Sequence, residues 1–404
     1  MLGTMSNKMP ISQGFQIPPQ DKVNLTGHTI LQIVPQLETG GAEVTTVEMA
    51  EAIVKAGGRA LVVSEGGALA QQITASGGDI MHMPVASKNP LTMWRNANRL
   101  AALIKNENIS LVHGRSRAPC WSAYFAAKRS GRPYLATYHS KVHERPRAKV
   151  FYNSIMTRGQ LTIANSHFTA ARIAAIHKTP ATQLRVIARG CDTDALDTKR
   201  FDAAQRTAKR AQWGVPENAF VILCPARLTR WKGQHVLLEA LGQMTADAKP
   251  HLICVGGAQG RDDYVDMLKA RAAALGVTLV LAGHETDMPS AYAAANLAVM
   301  PSIEAEPFGR TTIEAQAASL PVIASDDGGF RETIIAAPPE KGGTGWLVEI
   351  DNADALAAAI ASALTMPQED LNRLGQNGRA HVLKNYTRTA MCQRTLNVYR
   401  ELIL

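Results

Sequence analysis

The sequence predicts an α/β protein made of two doubly wound, Rossmann-like domains facing a central cleft, and three observations lead there. Short apolar runs alternate with longer alanine-rich amphipathic segments, as β-α-β units do, and the alternation starts afresh halfway along. The chain has 404 residues, 46% of them hydrophobic and 19% charged, which suits a globular protein of two ordinary domains. Charge also divides with the alternation. Residues 1–200 hold 24 Lys and Arg against 12 Asp and Glu, whereas the rest hold 19 against 22.

The elements follow in order. Residues 1–27 are polar and lack an apolar stretch, which reads as a disordered leader and not a signal peptide. The first domain is expected over 28–200, with strands near 30–34, 60–64, 80–83, 111–113, 134–137 and 161–164 and helices such as 42–56 and 90–106 between them. A polar stretch, 194–217, reads as the linker. The second domain, 201–384, has expected strands near 221–225, 251–255, 278–281, 297–300, 321–324 and 345–348, with helices near 234–244, 262–275 and 310–318. Apolar residues at helical spacing close the chain, so 385–404 reads as a last helix.

Several classes are excluded. The five cysteines are scattered without a C-x-x-C pair, which supports neither a disulfide framework nor a thiolate metal site and fits a reducing cytosol. No run approaches the roughly 18 apolar residues of a membrane span. Residues 114–178 carry twelve Lys or Arg and one acid, Glu144. Such a stretch suits an anionic partner, whether nucleic acid, a membrane surface or a phosphorylated substrate, or is simply a solvated face.

Parallel α/β sheets bind ligands at the carboxyl ends of their strands, so the loops there are searched for chemistry. Glu306-Pro307-Phe308-Gly309-Arg310-Thr311-Thr312-Ile313-Glu314 follows one strand and opens a helix. Glu306 is expected in the loop and Glu314 on the second turn, with the amides of Phe308, Gly309 and Arg310 free to donate. A capping role for Glu306 and a surface role for Glu314 are the alternatives. Arg227 and Lys232, in Arg227-Leu228-Thr229-Arg230-Trp231-Lys232-Gly233, set two cations beside a turn and suit a diphosphate, or are merely solvated. Gly40 and Gly41 open the first helix and allow backbone amides near a phosphate, although the pattern is not G-x-G-x-x-G and a dehydrogenase loses its main support. His139 ends a strand on the cleft side, where a structural role competes with a catalytic one. Asp192-Thr193-Asp194 reads as a turn in preference to a metal site, and 256–260 is a glycine-rich loop.

Taken together the motifs resemble the retaining glycosyltransferases of family 4, which have the GT-B fold. The resemblance runs from Thr29 onward and rests on G-G-A-E at 40–43, His139, A-N-S at 164–166, R-G-C-D at 189–192, R-L-x3-K-G at 227–233, E-x7-E at 306–314 and G-W-L-V at 345–348. It implies a nucleotide-diphosphate sugar held by the second domain. Glu314 would bind the ribose, while Glu306 with the amides after Pro307 would hold the sugar. Arg227 and Lys232 would grip the diphosphate, with Gly41 opposite. His139 would touch the sugar near the reacting centre, and Gly283 and His284 would lie by the base. Front-face substitution is implied, without metal or cofactor, and so is a last helix, 385–404, that crosses back to the first domain. Arg189 stands where the family usually has Asn.

A softer likeness, through Ser116-Arg117-Ala118-Pro119, Arg189-Gly190 and 314–317, is to bacterial lipopolysaccharide core mannosyltransferases, implying GDP-mannose as donor. A UDP-sugar with another acceptor, or a nucleotide-sugar epimerase, is the alternative. With the family in view, nucleic acid drops out as a partner. Arg115, Arg117, Lys141, Arg145, Arg147 and Lys149 are then expected to face an anionic glycolipid or saccharide acceptor and an anionic membrane, placing the protein in the cytoplasm, peripheral at the inner face of the membrane.

Overall fold

The computed structural model describes residues 22–38, 40–245 and 249–403. Two all-parallel sheets form the frame. The first contains β1 (Thr29–Ile33), β2 (Arg59–Ser64), β3 (Asp79–His82), β4 (Ile109–Gly114), β5 (Tyr134–Tyr138), β6 (Leu161–Ala164) and β7 (Leu184–Val186), in spatial order β3-β2-β1-β4-β5-β6-β7. The second contains β8 (Val221–Pro225), β9 (His251–Val255), β10 (Leu279–Gly283), β11 (Leu297–Met300), β12 (Val322–Ser325) and β13 (Gly345–Val348), in order β10-β9-β8-β11-β12-β13. Both are doubly wound, as the alternation predicts.

Helices cover both faces of each sheet, so central strands such as β1 and β8 are buried along their whole length, and β8 reads as a continuous apolar run. Four apolar layers result, one on each side of each sheet. Strand order reverses between β1 and β4 and between β8 and β11, which opens a crevice at those carboxyl ends.

Three segments differ from a plain reading of the sequence. Of the expected leader, residues 1–21 lie outside the described residues, but Val23 and Leu25 are buried in the layer over β1. The expected linker holds a helix, Ala203–Gln212, started by a reciprocal cap between Asp202 and Gln205 and tied to the second domain by the Lys209–Glu285 ion pair. β10 extends to Gly283, two residues past the expected end, because Gly283 pairs with Val255 after a register shift and its carbonyl accepts from Gly256 N at 2.7 Å.

The last helix, Arg388–Ile403, lies on the first domain, where Met391, Cys392, Leu396 and Tyr399 join the same layer over β1 as Val23 and Leu25. The chain therefore passes between domains twice. The two passages touch: Cys191 N donates to Tyr386 O at 3.0 Å and Arg388 N to Cys191 O at 2.9 Å, a parallel bridge of Cys191 with Thr387. A Cβ at Gly190 would stand 2.5 Å from Thr387 O, so the close passage requires glycine there.

Candidate active site

A cavity of about 560 Å³ opens between the domains, with His139 on one wall and Arg227, Trp231, Lys232, Glu306 and Thr311 on the other. Its loops leave β5, β8 and β11, at the carboxyl ends where the sheets provide a crevice.

The turn after β8 is shaped by Gly233, whose φ is 74°; a Cβ there would lie 1.8 Å from Pro301 O. That close approach brings the β8 loop against the β11 loop. Lys232 consequently forms an ion pair with Glu306, with the two side chains 16% and 9% exposed, and its ammonium sits 4.3 Å from the centre of the Trp231 ring. Glu306 Oε1 also accepts from Ser302 Oγ at 3.0 Å. The Glu306 carboxylate has further lone pairs with which to accept from hydroxyls. Arg227 is exposed at the rim, reaching Gln259 Oε1 at 3.3 Å, and its backbone carbonyl is held by the buried Gln234 amide at 2.9 Å.

The helix Arg310–Ala317 opens beneath this pair. Gly309 precedes it with φ 87°, and a Cβ there would strike the Phe330 ring at 2.5 Å. Glu306 lies in the loop and Glu314 on the second turn, the arrangement expected from their spacing. Glu314 accepts from Arg310 Nε at 2.7 Å and from Tyr292 OH at 3.3 Å. Burial works against the charge on Arg310, but Glu314 and Glu48 together raise its pKa above the usual value. Phe308 is buried in the core of the second domain, and Pro307 O accepts from Ser166 Oγ and Thr169 Oγ1 of the first domain.

On the first domain, Gly40 caps the helix Gly41–Lys55, and its N–H donates to Glu43 Oε2 at 2.9 Å. Gly41 looks across at the Arg310 guanidinium, 4.0 Å from where a Cβ would be. His139 Nδ1 is bound by Arg189, and its Nε2 is buried without a protein partner. Burial, then the charges of Arg189 and Arg115, hold this imidazole well below the usual histidine range, so it is neutral at pH 7. Gly283 and the exposed His284 end β10 on the second domain.

The basic window splits. Arg145, Arg147 and Lys149 are exposed, and Lys141 forms an ion pair across the cleft with Glu304. Arg117 is half-buried, bound to Ser140 and to Lys141 O at 3.2 Å. Arg115 corrects the sequence reading: it is 2% exposed, donates to Gln32 Oε1, and is covered by the last helix, so it faces no surface. Asp192 Oδ1 accepts from the amides of Asp194 and Ala195 at 3.2 and 3.0 Å, the geometry of a turn.

The sequence reading passed over Glu48 and Glu332. Glu48 sits on the buried face of the first helix, 3.9 Å from Arg310, and burial raises its pKa against the pull of Arg310 and Arg189. Its own helix gives it no mark that separates it from an ordinary helical acid. Glu332 accepts from the amides of His167 and Phe168 at 2.9 and 2.8 Å, capping a first-domain helix from the second domain; no local pattern announces it.

Residues 39–195 match the family described as Glycosyltransferase Family 4, and residues 205–381 match Glycosyl transferases group 1. The crystal structure of a glycosyltransferase from Rickettsia africae is 32% identical, covers 93% of this chain and 98% of its own, and superposes with a TM-score of 0.84. HepE of Anabaena, solved with UDP-glucose, has the same fold at 24% identity and a TM-score of 0.79, over 93% of this chain and all of its own. A GDP-mannose-dependent monoacylated alpha-(1-6)-phosphatidylinositol monomannoside mannosyltransferase of Corynebacterium glutamicum is 32% identical over 216 residues, 50% of this chain; the match spans about half, 54%, of that relative's length. The two domain matches, joined by a cleft that gathers the motif residues of both halves, carry the conclusion that the chain belongs to the glycosyltransferases of GT-B fold.

Proposed function

We propose that the protein transfers a hexose from a nucleotide-diphosphate sugar, with retention, to an anionic glycolipid or saccharide. The observation that carries this reading is the convergence of Lys232, Glu306 and Arg227 from one domain with His139 from the other on a single cavity. Arg227 and Lys232 would neutralise the departing diphosphate, Glu306 would accept from sugar hydroxyls, and Glu314 from the ribose. The sugar C1–phosphate bond breaks as the C1–acceptor oxygen bond forms on the same face. The acceptor proton goes to the leaving phosphate oxygen, which balances the reaction without a protein nucleophile.

Two donors fit that chemistry. GDP-mannose is the donor named for the Corynebacterium relative, and a lipopolysaccharide core would be its acceptor here. A UDP-sugar with another acceptor is the reading we favour, since full-length likeness extends to a protein solved with UDP-glucose. Thermal shift with each donor decides: a larger rise with UDP-glucose than with GDP-mannose supports the favoured reading, and the reverse order overturns it. Release of nucleoside diphosphate only when acceptor is present separates transfer from epimerisation, and full turnover in Glu306→Ala would remove the site assignment.

An anionic membrane surface would hold the acceptor. On the first domain Leu91, Trp94, Phe125 and Phe151 are exposed, Trp121 lies 6.1 Å from Phe125 and 5.7 Å from Phe151 between ring centres, and Arg145, Arg147 and Lys149 stand in the neighbouring stretch. Aromatic side chains beside cations suit docking to such a surface. Among the described residues no helix is long and apolar enough to cross a membrane.

A further inference from the structure

We infer that Arg189 is a positioning residue: it ties the glycine turn of the first domain to His139 and fixes that imidazole in the tautomer whose proton is on Nε2. The functional half of this inference rests on the reading that His139 meets the donor sugar.

A guanidinium has N–H groups and no acceptor, so the contact from Arg189 Nη2 to His139 Nδ1 has one possible sense: Nδ1 accepts. A neutral ring that accepts at Nδ1 carries its proton on Nε2. Burial brings the pKa of Arg189 down only to about 9, so it is charged and able to donate at neutral pH. Nε2 is buried and has no protein partner, while the histidine lines the cavity opposite Lys232 and Glu306. A ring protonated at Nε2 has an unused hydrogen-bond donor there and no free ring lone pair with which to take a proton from an acceptor hydroxyl. The other arm of Arg189, Nη1, binds Thr45 Oγ1, and that hydroxyl in turn donates to Gly41 O at 2.8 Å. One buried side chain thus joins the Gly40-Gly41 turn to the histidine.

The charged and titratable groups facing His139 are Arg189, Arg115, His113 and Lys141 in its own domain, and Arg227, Lys232, Glu304 and Glu306 across the cavity. Burial first, then the charges of Arg189 and Arg115, keeps a second proton off the ring.

The test is nitrogen-15 NMR of the histidine rings in the full chain without substrate, with Arg189→Met and the conservative Arg189→Lys, and His139→Gln to identify the signal. The expected wild-type spectrum shows His139 with Nε2 protonated and Nδ1 bare, unchanged from pH 8 to pH 5.5. Arg189→Met should let the ring titrate in that range. With an active donor, kcat should fall tenfold or more and gain an acid limb absent from wild type, while the donor KM changes less than threefold. Arg189→Lys should recover part of kcat. A proton on Nδ1 in wild type overturns the inference even if no variant folds. An unchanged His139 spectrum in Arg189→Met overturns it as well. If the spectrum changes as expected but kcat and its pH profile do not, the positioning role falls and the tautomer assignment stands. If no donor is turned over, the proposed function fails, and the spectra still decide the tautomer.

Discussion

Glu48 and Arg310 face each other across the domain boundary at 3.9 Å, and the second oxygen of the Glu48 carboxylate is buried without a partner. Burial raises the pKa of Glu48 above 4.5 in the folded protein. A group of this kind stabilises the fold below its unfolded pKa and loses that contribution as pH rises through the folded value. Glu48→Gln should therefore gain in melting temperature relative to wild type between pH 5 and pH 7, a trend that thermal unfolding at the two pH values checks. An unchanged difference would mean that Glu48 is ionised throughout that range.

Lys232 and Glu306 form a pair with little solvent to screen either charge. Removing one partner leaves an uncompensated buried charge, which costs about 3–5 kcal/mol, whereas removing both costs less. Chemical denaturation of Lys232→Met, Glu306→Gln and the double variant should give a double that is more stable than the sum of the singles predicts. Turnover should be lost by at least about a hundredfold in each, on the scale of a lost electrostatic contact at a reacting centre.

Two left-handed glycines make a controlled comparison. Gly214 has φ 67° with nothing within 4 Å of an added Cβ, so Gly214→Ala should cost about 1 kcal/mol for backbone conformation alone. Gly233 has a similar φ, but its Cβ would fall 1.8 Å from Pro301 O. Gly233→Ala should cost several times as much, read as the difference between the two urea midpoints, and should also separate Lys232 from Glu306.

The cap that Glu332 places on His167 and Phe168 predicts a local effect. Glu332→Ala should lose about 1.5–3 kcal/mol per charged hydrogen bond. Hydrogen exchange at the amides of His167 and Phe168 should quicken much more than exchange in β5 or β8. Equal acceleration everywhere would indicate a general loss of stability instead of a released cap.

If the aromatic cluster is the membrane-facing surface, Phe151→Asp should weaken co-sedimentation with vesicles containing anionic lipid at least severalfold. Its melting temperature should hold within about 2 °C, because Phe151 is 62% exposed. Neutral vesicles should bind both proteins weakly.

Periodicity and strand-end chemistry are local properties, and what depends on them was legible. The helix Pro90–Asn106 has the predicted bounds, and Glu306 and Glu314 fall in loop and second turn as their spacing requires. Burial supplied from a distant part of the chain was not. Arg115 sits in a basic stretch and looks like a surface cation, but the last helix folds over it and Tyr399 lies against His113 at 2.7 Å beside it. Glu48 looks like an ordinary helical acid until Arg310, from the other domain, stands opposite. Lys232 and Glu306 were each identified as site residues, yet their pairing depends on Gly233 bringing two loops together, which only the fold displays.

The bridge between Cys191 and Thr387 limits the relative motions open to the two domains. Two lobes joined by a single tether can swivel and twist in any sense. Here the outgoing and returning strands are hydrogen-bonded side by side, with Gly190 clearing the space between them, like the two knuckles of a door hinge on one pin. A twist that parts the two segments would have to break both backbone bonds, whereas a rotation that keeps them side by side would not. Any closure that spares the bridge would therefore bring His139 toward Lys232 and Glu306 along a restricted path.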